Sequence, residues 1–228
     1  MLFYPLAVLA IYSKGKQDLL SPNLYSDPSW MGACLLIALL GLAVRAYTIG
    51  HTPRGTSGRN TKEGQVAEVL NTAGIYSTVR HPLYVGNYLM WLGLFMYVGN
   101  VSLILIASLI YWVYYERIMY AEEAFLRKKF GSQYDDWASQ TPAFLIDARK
   151  FRPAHLKFSL RNVLKREYNG LFNLILSFVL INLVHNLILR QAPEAHKFWI
   201  VCLLGATVTL LVLRTLKKKT RILHVEGR

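Results

Sequence analysis

A chain of 228 residues with 54% hydrophobic side chains, a mean hydropathy of +0.28 and a formal charge of +13 has the length of one or two soluble domains. Its apolar residues are gathered into long uncharged runs, which excludes a soluble globular protein and marks an integral membrane protein. The positive charge then reads as loop topology and attraction to anionic lipid; no nucleic-acid recognition motif accompanies it, so nucleic acid is not an expected partner.

The expected fold is all-α: a polytopic helical membrane protein of about six transmembrane helices. Residues 1–12 are apolar and stop before Lys14 and Lys16, so they read as the remainder of a first helix; they lack the charged start and small-residue cleavage site of a signal peptide. Met31 to Gly50 is apolar except for Arg45 and comes close to the ~20 residues that cross ~30 Å of hydrocarbon. The Gly-, Ser-, Thr- and Arg-rich stretch from His51 to Lys62 reads as a loop connecting two spans.

From Leu83 to Tyr115 there is no Asp, Glu, Lys or Arg. As one helix this run would be roughly 50 Å long at 1.5 Å per residue, too long for one crossing. Gly99-Asn100 at its middle is a turn signal, so a tight hairpin of two short helices is expected. Beyond it, Ile118, Phe125, Phe130, Tyr134 and Trp137 recur at roughly helical spacing beneath a charged face, which predicts a cytosolic helix lying along the interface. Residues 141–167 hold two prolines and seven basic residues and read as linker. Tyr168–Leu189 and Phe198–Leu213 are the last two spans. Asn169, Asn173, Asn182 and Asn186 are too many amides for a lipid-facing helix and predict interhelical hydrogen bonds. The expected organisation is a core at 1–145, a basic cytosolic linker at 146–167, and two additional helices with a basic tail at 168–228.

Cytoplasmic loops accumulate Lys and Arg. With both termini inside, segments 50–81, 117–167 and 214–228 hold 4, 11 and 6 basic residues, against 2, 0 and 2 in 13–28, 99–101 and 190–197. This orientation suits an inner or cell membrane with a cytosolic site. Cys34 and Cys202 fall inside predicted spans without CxxC or Cys/His spacing, so neither a disulfide framework nor a metal site is indicated. Composition says nothing of oligomeric state.

Two acid-base clusters lie on the same predicted face: Arg80, His81 and Tyr84 at the hairpin's entrance, and Arg117, Glu122 and Glu123 just past its exit. A hairpin returns its ends to each other, so these clusters should converge. Each part has a structural explanation too, as interfacial anchors or surface ion pairs, but their convergence points to function.

The pattern Gly74-Ile75-Tyr76, then Arg80-His81-Pro82-Leu83-Tyr84-x-Gly86, then Glu122-Glu123-x-x-Leu126 with Phe130-Gly131-x-x-Tyr134 resembles the integral-membrane methyltransferases that include isoprenylcysteine carboxyl methyltransferase and the phospholipid N-methyltransferases. The likeness runs from about Gly41 to Leu145 and does not cover the last two spans. It implies transfer of a methyl group from S-adenosylmethionine to a membrane lipid or lipidated acceptor, with the cofactor in a cytosol-facing pocket. Carried over by position, cofactor contacts fall on Tyr76, His81, Pro82, Leu83, Tyr84 and Glu122, with Val69, Leu70 and Asn71 as a weaker match beside Glu68, where some relatives have His.

The chemistry of the residues is compatible. S-adenosylmethionine carries a carboxylate, an ammonium, ribose hydroxyls and a sulfonium; Arg80, Glu122, Tyr76 and Tyr84 supply a cation, an anion and aromatic surfaces. No GxGxxG follows a strand, so the soluble nucleotide-binding fold is not expected. For catalysis, the candidates are Arg80, Arg117, Glu122 and Glu123: Arg80 or Arg117 would orient the oxygens of a carboxylate or phosphate acceptor, whereas a carboxylate such as Glu123 or Glu116 would accept the proton of an ammonium acceptor. Both sets are present, so carboxyl, phosphate and amine methylation stay open. The alternatives are a non-catalytic lipid-binding scaffold and a small transporter; the latter lacks an inverted repeat and has its charges at one face, not at the midplane.

Overall fold

The computed structural model describes residues 27–53, 59–61, 64–189 and 196–225, so the helix expected at 1–12 lies outside the described residues. Among the described residues six α-helices carry the fold: α1 (Pro28–His51), α2 (Pro82–Val98), α3 (Val101–Phe130), α4 (Ser132–Gln140), α5 (Leu160–Leu189) and α6 (Lys197–Lys219). A three-residue antiparallel ribbon pairs Arg59–Thr61 with Gly64–Val66. By length and composition α1, α3, α5 and α6 can each cross a membrane. α2, at 17 residues, is about 25 Å long and falls short of a full crossing on its own.

Local chemistry sets these boundaries. Asp27 caps α1, its carboxylate accepting from Ser29 N at 2.8 Å, and Pro28 occupies the first turn. The expected hairpin turn is present: Gly99 sits at φ 71°, which a side chain disfavours, and ends α2, while Asn100 Oδ1 accepts from Leu103 N at 2.8 Å and starts α3. α3 then continues unbroken through its charged half to Phe130, so the stripe expected on an interfacial helix is divided between α3 and α4 at Gly131, where φ is 55°. Charge does not stop a helix; the left-handed glycine does. Ser159 Oγ accepts from Asn162 N and caps α5, which therefore begins at Leu160, inside the stretch expected as linker.

α1 and α2 pack backbone to backbone. A Cβ on Gly93 would lie 2.5 Å from Cys34 O, one on Gly86 2.7 Å from Gly41 O, and one on Gly41 would collide with Gly86 O. Small residues at such a seam let two membrane helices approach where hydrophobicity alone gives no preference for helix over lipid. α5 and α6 close the bundle through Tyr97 of α2, whose hydroxyl accepts from Asn182 Nδ2 at 2.8 Å and Trp199 Nε1 at 2.7 Å. Asn182 Oδ1 accepts from His196 N, and Phe178 stacks on Trp199 at 4.6 Å. Asn182 thus meets the expectation for the asparagines, whereas Asn169 and Asn173 are exposed.

Candidate active site

The hairpin does bring the two clusters together. Arg80 Nε donates to Glu123 Oε1 at 2.9 Å and Nη2 donates to Oε2 at 3.3 Å. Arg80 Nη1 donates to the carbonyls of Ala138 and Thr141 at 2.8 and 2.7 Å. Four hydrogen bonds thus occupy a guanidinium that sequence reasoning offered to a ligand.

His81 has a carboxylate at each ring nitrogen: Nε2 is 2.8 Å from Glu123 Oε1 and Nδ1 is 3.6 Å from Glu122 Oε2. Burial pulls its pKa down, but hydrogen bonds to Glu122 and Glu123, together with their charges, outweigh burial and hold it above the ordinary value. An imidazolium donating from Nε2 to Glu123, with the Glu122 carboxylate facing Nδ1, is the state this geometry favours. Tyr84 OH donates to Glu122 Oε2 at 3.0 Å, and its ring stacks against His81 at 5.5 Å. Burial, followed by the charge of Glu122, raises the pKa of Tyr76 and keeps that phenol protonated.

The loop is held from behind. Arg80 N and His81 N donate to the carbonyls of Pro142 and Ala143, Asp147 N donates to Thr78 O, Gly74 N donates to Arg152 O, and Trp137 Nε1 donates to Tyr76 O. α4 and the chain that follows it therefore act as a strap across residues 74–81.

Two cavities flank these side chains. A narrow cleft of about 30 Å³ is bordered by Val69, Leu70, Asn71, Tyr76, Arg80, His81, Glu122 and Glu123. A larger one of about 290 Å³ lies on the other side, bordered by Tyr76, Arg80, His81, Pro82, Leu83, Tyr84 and Glu122, and by Arg45, Thr48 and Thr52 from α1. Every sequence-predicted residue except Glu116 and Arg117 borders one or both. Arg117 is exposed on α3 and borders neither.

Sequence reasoning missed one wall. Arg166 and Glu167 of α5 also border the larger cavity, and Glu167 takes a two-pronged ion pair from Arg45 at 2.7 and 2.9 Å. A lone arginine in an apolar span was the available signal, since such a charge demands a partner. Among the described residues, no group of three or more His, Cys, Asp or Glu side chains is gathered as a metal site.

Residues 29–133 match the family described as phospholipid methyltransferase. The match covers somewhat less than half of the chain, and over that stretch the chain is similar to membrane methyltransferases. Within the methyltransferase-like group, the chain is 39% identical over 75 residues to the protein-S-isoprenylcysteine O-methyltransferase of Schizosaccharomyces pombe, covering 33% of this chain and 32% of that one. It is also 33% identical over 127 residues to the nickel-cobalt-cadmium resistance protein NccN of Alcaligenes xylosoxydans xylosoxydans, covering 55% and 56%. A third relative, the cobalt-zinc-cadmium resistance protein CzcN of Cupriavidus metallidurans, is 32% identical over 120 residues, covering 52% of each. The chain spans from about a third to just over half the length of these relatives. No solved structure matches.

Proposed function

We propose that this protein is an S-adenosylmethionine-dependent methyltransferase acting on a membrane lipid or lipid-linked acceptor at the cytosolic face. One observation carries the proposal: Glu122 stands where the two cavities meet, fixed by Tyr84 OH and faced by His81. The donor set fits the cofactor, because a carboxylate beside two phenol rings suits an ammonium or sulfonium. Val69, Leu70 and Asn71 would border it from the cleft, and Pro82 and Leu83 from the start of α2. When bound, S-adenosylmethionine supplies a methyl group activated by its positive sulfur.

The protein's own residues bind, orient and exclude water. Arg80 and Glu123 hold each other, so in this assignment they hold the frame and Glu122 meets the ligand. Methyl transfer is an in-line displacement, for which holding two reactants at a fixed approach and keeping water out supplies much of the acceleration. A carboxylate or phosphate oxyanion needs no base; an ammonium acceptor would first pass its proton to a carboxylate at the cavity, Glu122 Oε1 or Oε2. Arg117 lies five residues before Glu122, about 140° around α3. Its exposed guanidinium would reach a lipid headgroup from outside the cavity.

The decisive measurement is lipid mass spectrometry of cells with and without the protein. The expected result is an acceptor species heavier by one CH2 that disappears with Glu122→Gln. An unchanged lipid profile, together with no binding of radiolabelled S-adenosylmethionine to purified protein, would refute the proposal.

A further inference from the structure

Glu167 lies on α5, beyond the segment that matches the family, yet it borders the larger cavity. Its helix is tied firmly to α1. Ser159 N donates to Gly50 O at 2.9 Å, Asn162 Nδ2 donates to Ile49 O at 2.8 Å, and His51 Nδ1 is 2.8 Å from Leu156 O. The Phe158 ring packs onto Gly50 so closely that a Cβ there would collide with it. Behind this joint the Glu167 side chain is only 8% exposed. It receives Nε and Nη2 of Arg45, while Nη1 of Arg45 donates to Asn87 Oδ1 on α2 at 2.7 Å. The guanidinium thus spans from α5 to α2 along the cavity's wall, and its charge is balanced by one carboxylate supplied from outside the matched segment.

We propose that Glu167 sets the charge selectivity of the cavity: by neutralising Arg45 and holding it against Asn87, it makes the compartment acceptable to a ligand bearing a net positive charge. This inference rests on the function proposed above. An Arg45 left without its carboxylate would put an unbalanced cation in the wall of a water-poor cavity, where like charges repel far more strongly than in water. The penalty would fall on a cationic ligand and spare a neutral one of the same shape. S-adenosylmethionine and S-adenosylhomocysteine are such a pair, differing by one methyl group and the positive charge on sulfur. Gly170 supports the arrangement, since a Cβ there would press on Glu167 Oε2 at 3.2 Å.

The test measures the affinities of both compounds for the detergent-purified full chain. Glu167→Gln keeps the shape of the side chain and is expected to weaken S-adenosylmethionine at least about tenfold while changing S-adenosylhomocysteine by less than about threefold. Arg45→Met, which leaves Glu167 negative, is expected to shift the ratio of the two affinities the other way. The double variant Arg45→Met/Glu167→Met removes both charges and should return the ratio to that of the parent, as well as keeping the protein folded if Glu167→Gln alone does not. Equal weakening of both ligands in Glu167→Gln, or a ratio unmoved by Arg45→Met, would make the pair a structural tie only and overturn the inference. A parent protein that binds neither compound would refute the proposed function instead.

Discussion

Arg80 and Glu123 stand 43 positions apart in the chain and meet through two hydrogen bonds at the open end of the α2–α3 hairpin. The pair is about four-fifths buried, and Glu123 also holds His81, so it joins three polar groups at the base of the site. Glu122, its neighbour in sequence, faces the larger cavity while Glu123 does not. Two adjacent carboxylates therefore carry separable duties.

Glu123→Ala should cost about 2–4 kcal/mol of stability, because it strands a guanidinium and an imidazolium that are mostly shielded from water. Thermal unfolding in detergent measures this. Glu122→Gln should leave the melting temperature nearly unchanged and weaken S-adenosylmethionine at least about tenfold, or about 1.4 kcal/mol. If the two variants exchange these phenotypes, the division of duties is wrong.

Stability should fall as pH rises above the ordinary histidine value of about 6.5. The folded state raises the pKa of His81, so its contribution is complete below the unfolded value and is lost as pH passes through the folded one. Glu122 and Glu123 from α3, Tyr84 from α2 and neighbouring Arg80 are the ionisable groups around it. His81→Gln should flatten the melting temperature against pH in this window. A parent profile that already rises or stays level there contradicts the assignment.

Arg117→Lys keeps a charge but loses the two-pronged fork, so with a carboxylate or phosphate acceptor turnover should drop about tenfold or more with cofactor affinity unchanged. Steady-state kinetics beside a binding measurement separate the two. Loss of cofactor binding would instead tie Arg117 to the pocket.

Sidedness can be checked with cysteine labels in a variant lacking Cys34 and Cys202. A label at Lys150 should react with an impermeant reagent from the cytosolic side, and one at Asn100 only from the opposite side. Reaction of both from one side would break the topology.

The parts of the fold that were legible in sequence are those dictated by neighbours in the chain. Gly99-Asn100 announces the hairpin because a left-handed glycine and a capping amide act within a few residues. The meeting of residues 80–84 with 122–123 followed from that turn. The saturation of Arg80 was not legible, since two of its acceptors are the carbonyls of Ala138 and Thr141, which any sequence possesses. Nor was Glu167, because the linker that brings it to Arg45 has no periodicity to follow. The start of α5 was available in principle: Ser159 three residues before Asn162 is a cap signal, hidden there among basic residues.

The seam of Gly41, Gly86 and Gly93 fixes the spacing of α1 and α2, the two helices that supply Arg45, Thr48, Leu83 and Tyr84 to the larger cavity. Where main chain already touches main chain, there is no side chain left to shorten, and any added atom forces the helices apart. Gly93→Ala should accordingly lower the melting temperature by several degrees. With the α1–α2 spacing fixed, a redesign for a bulkier acceptor would have to work through side chains that border the cavity, Thr48 on α1, Leu83 on α2, and Arg166 or Glu167 on α5, leaving the glycines alone.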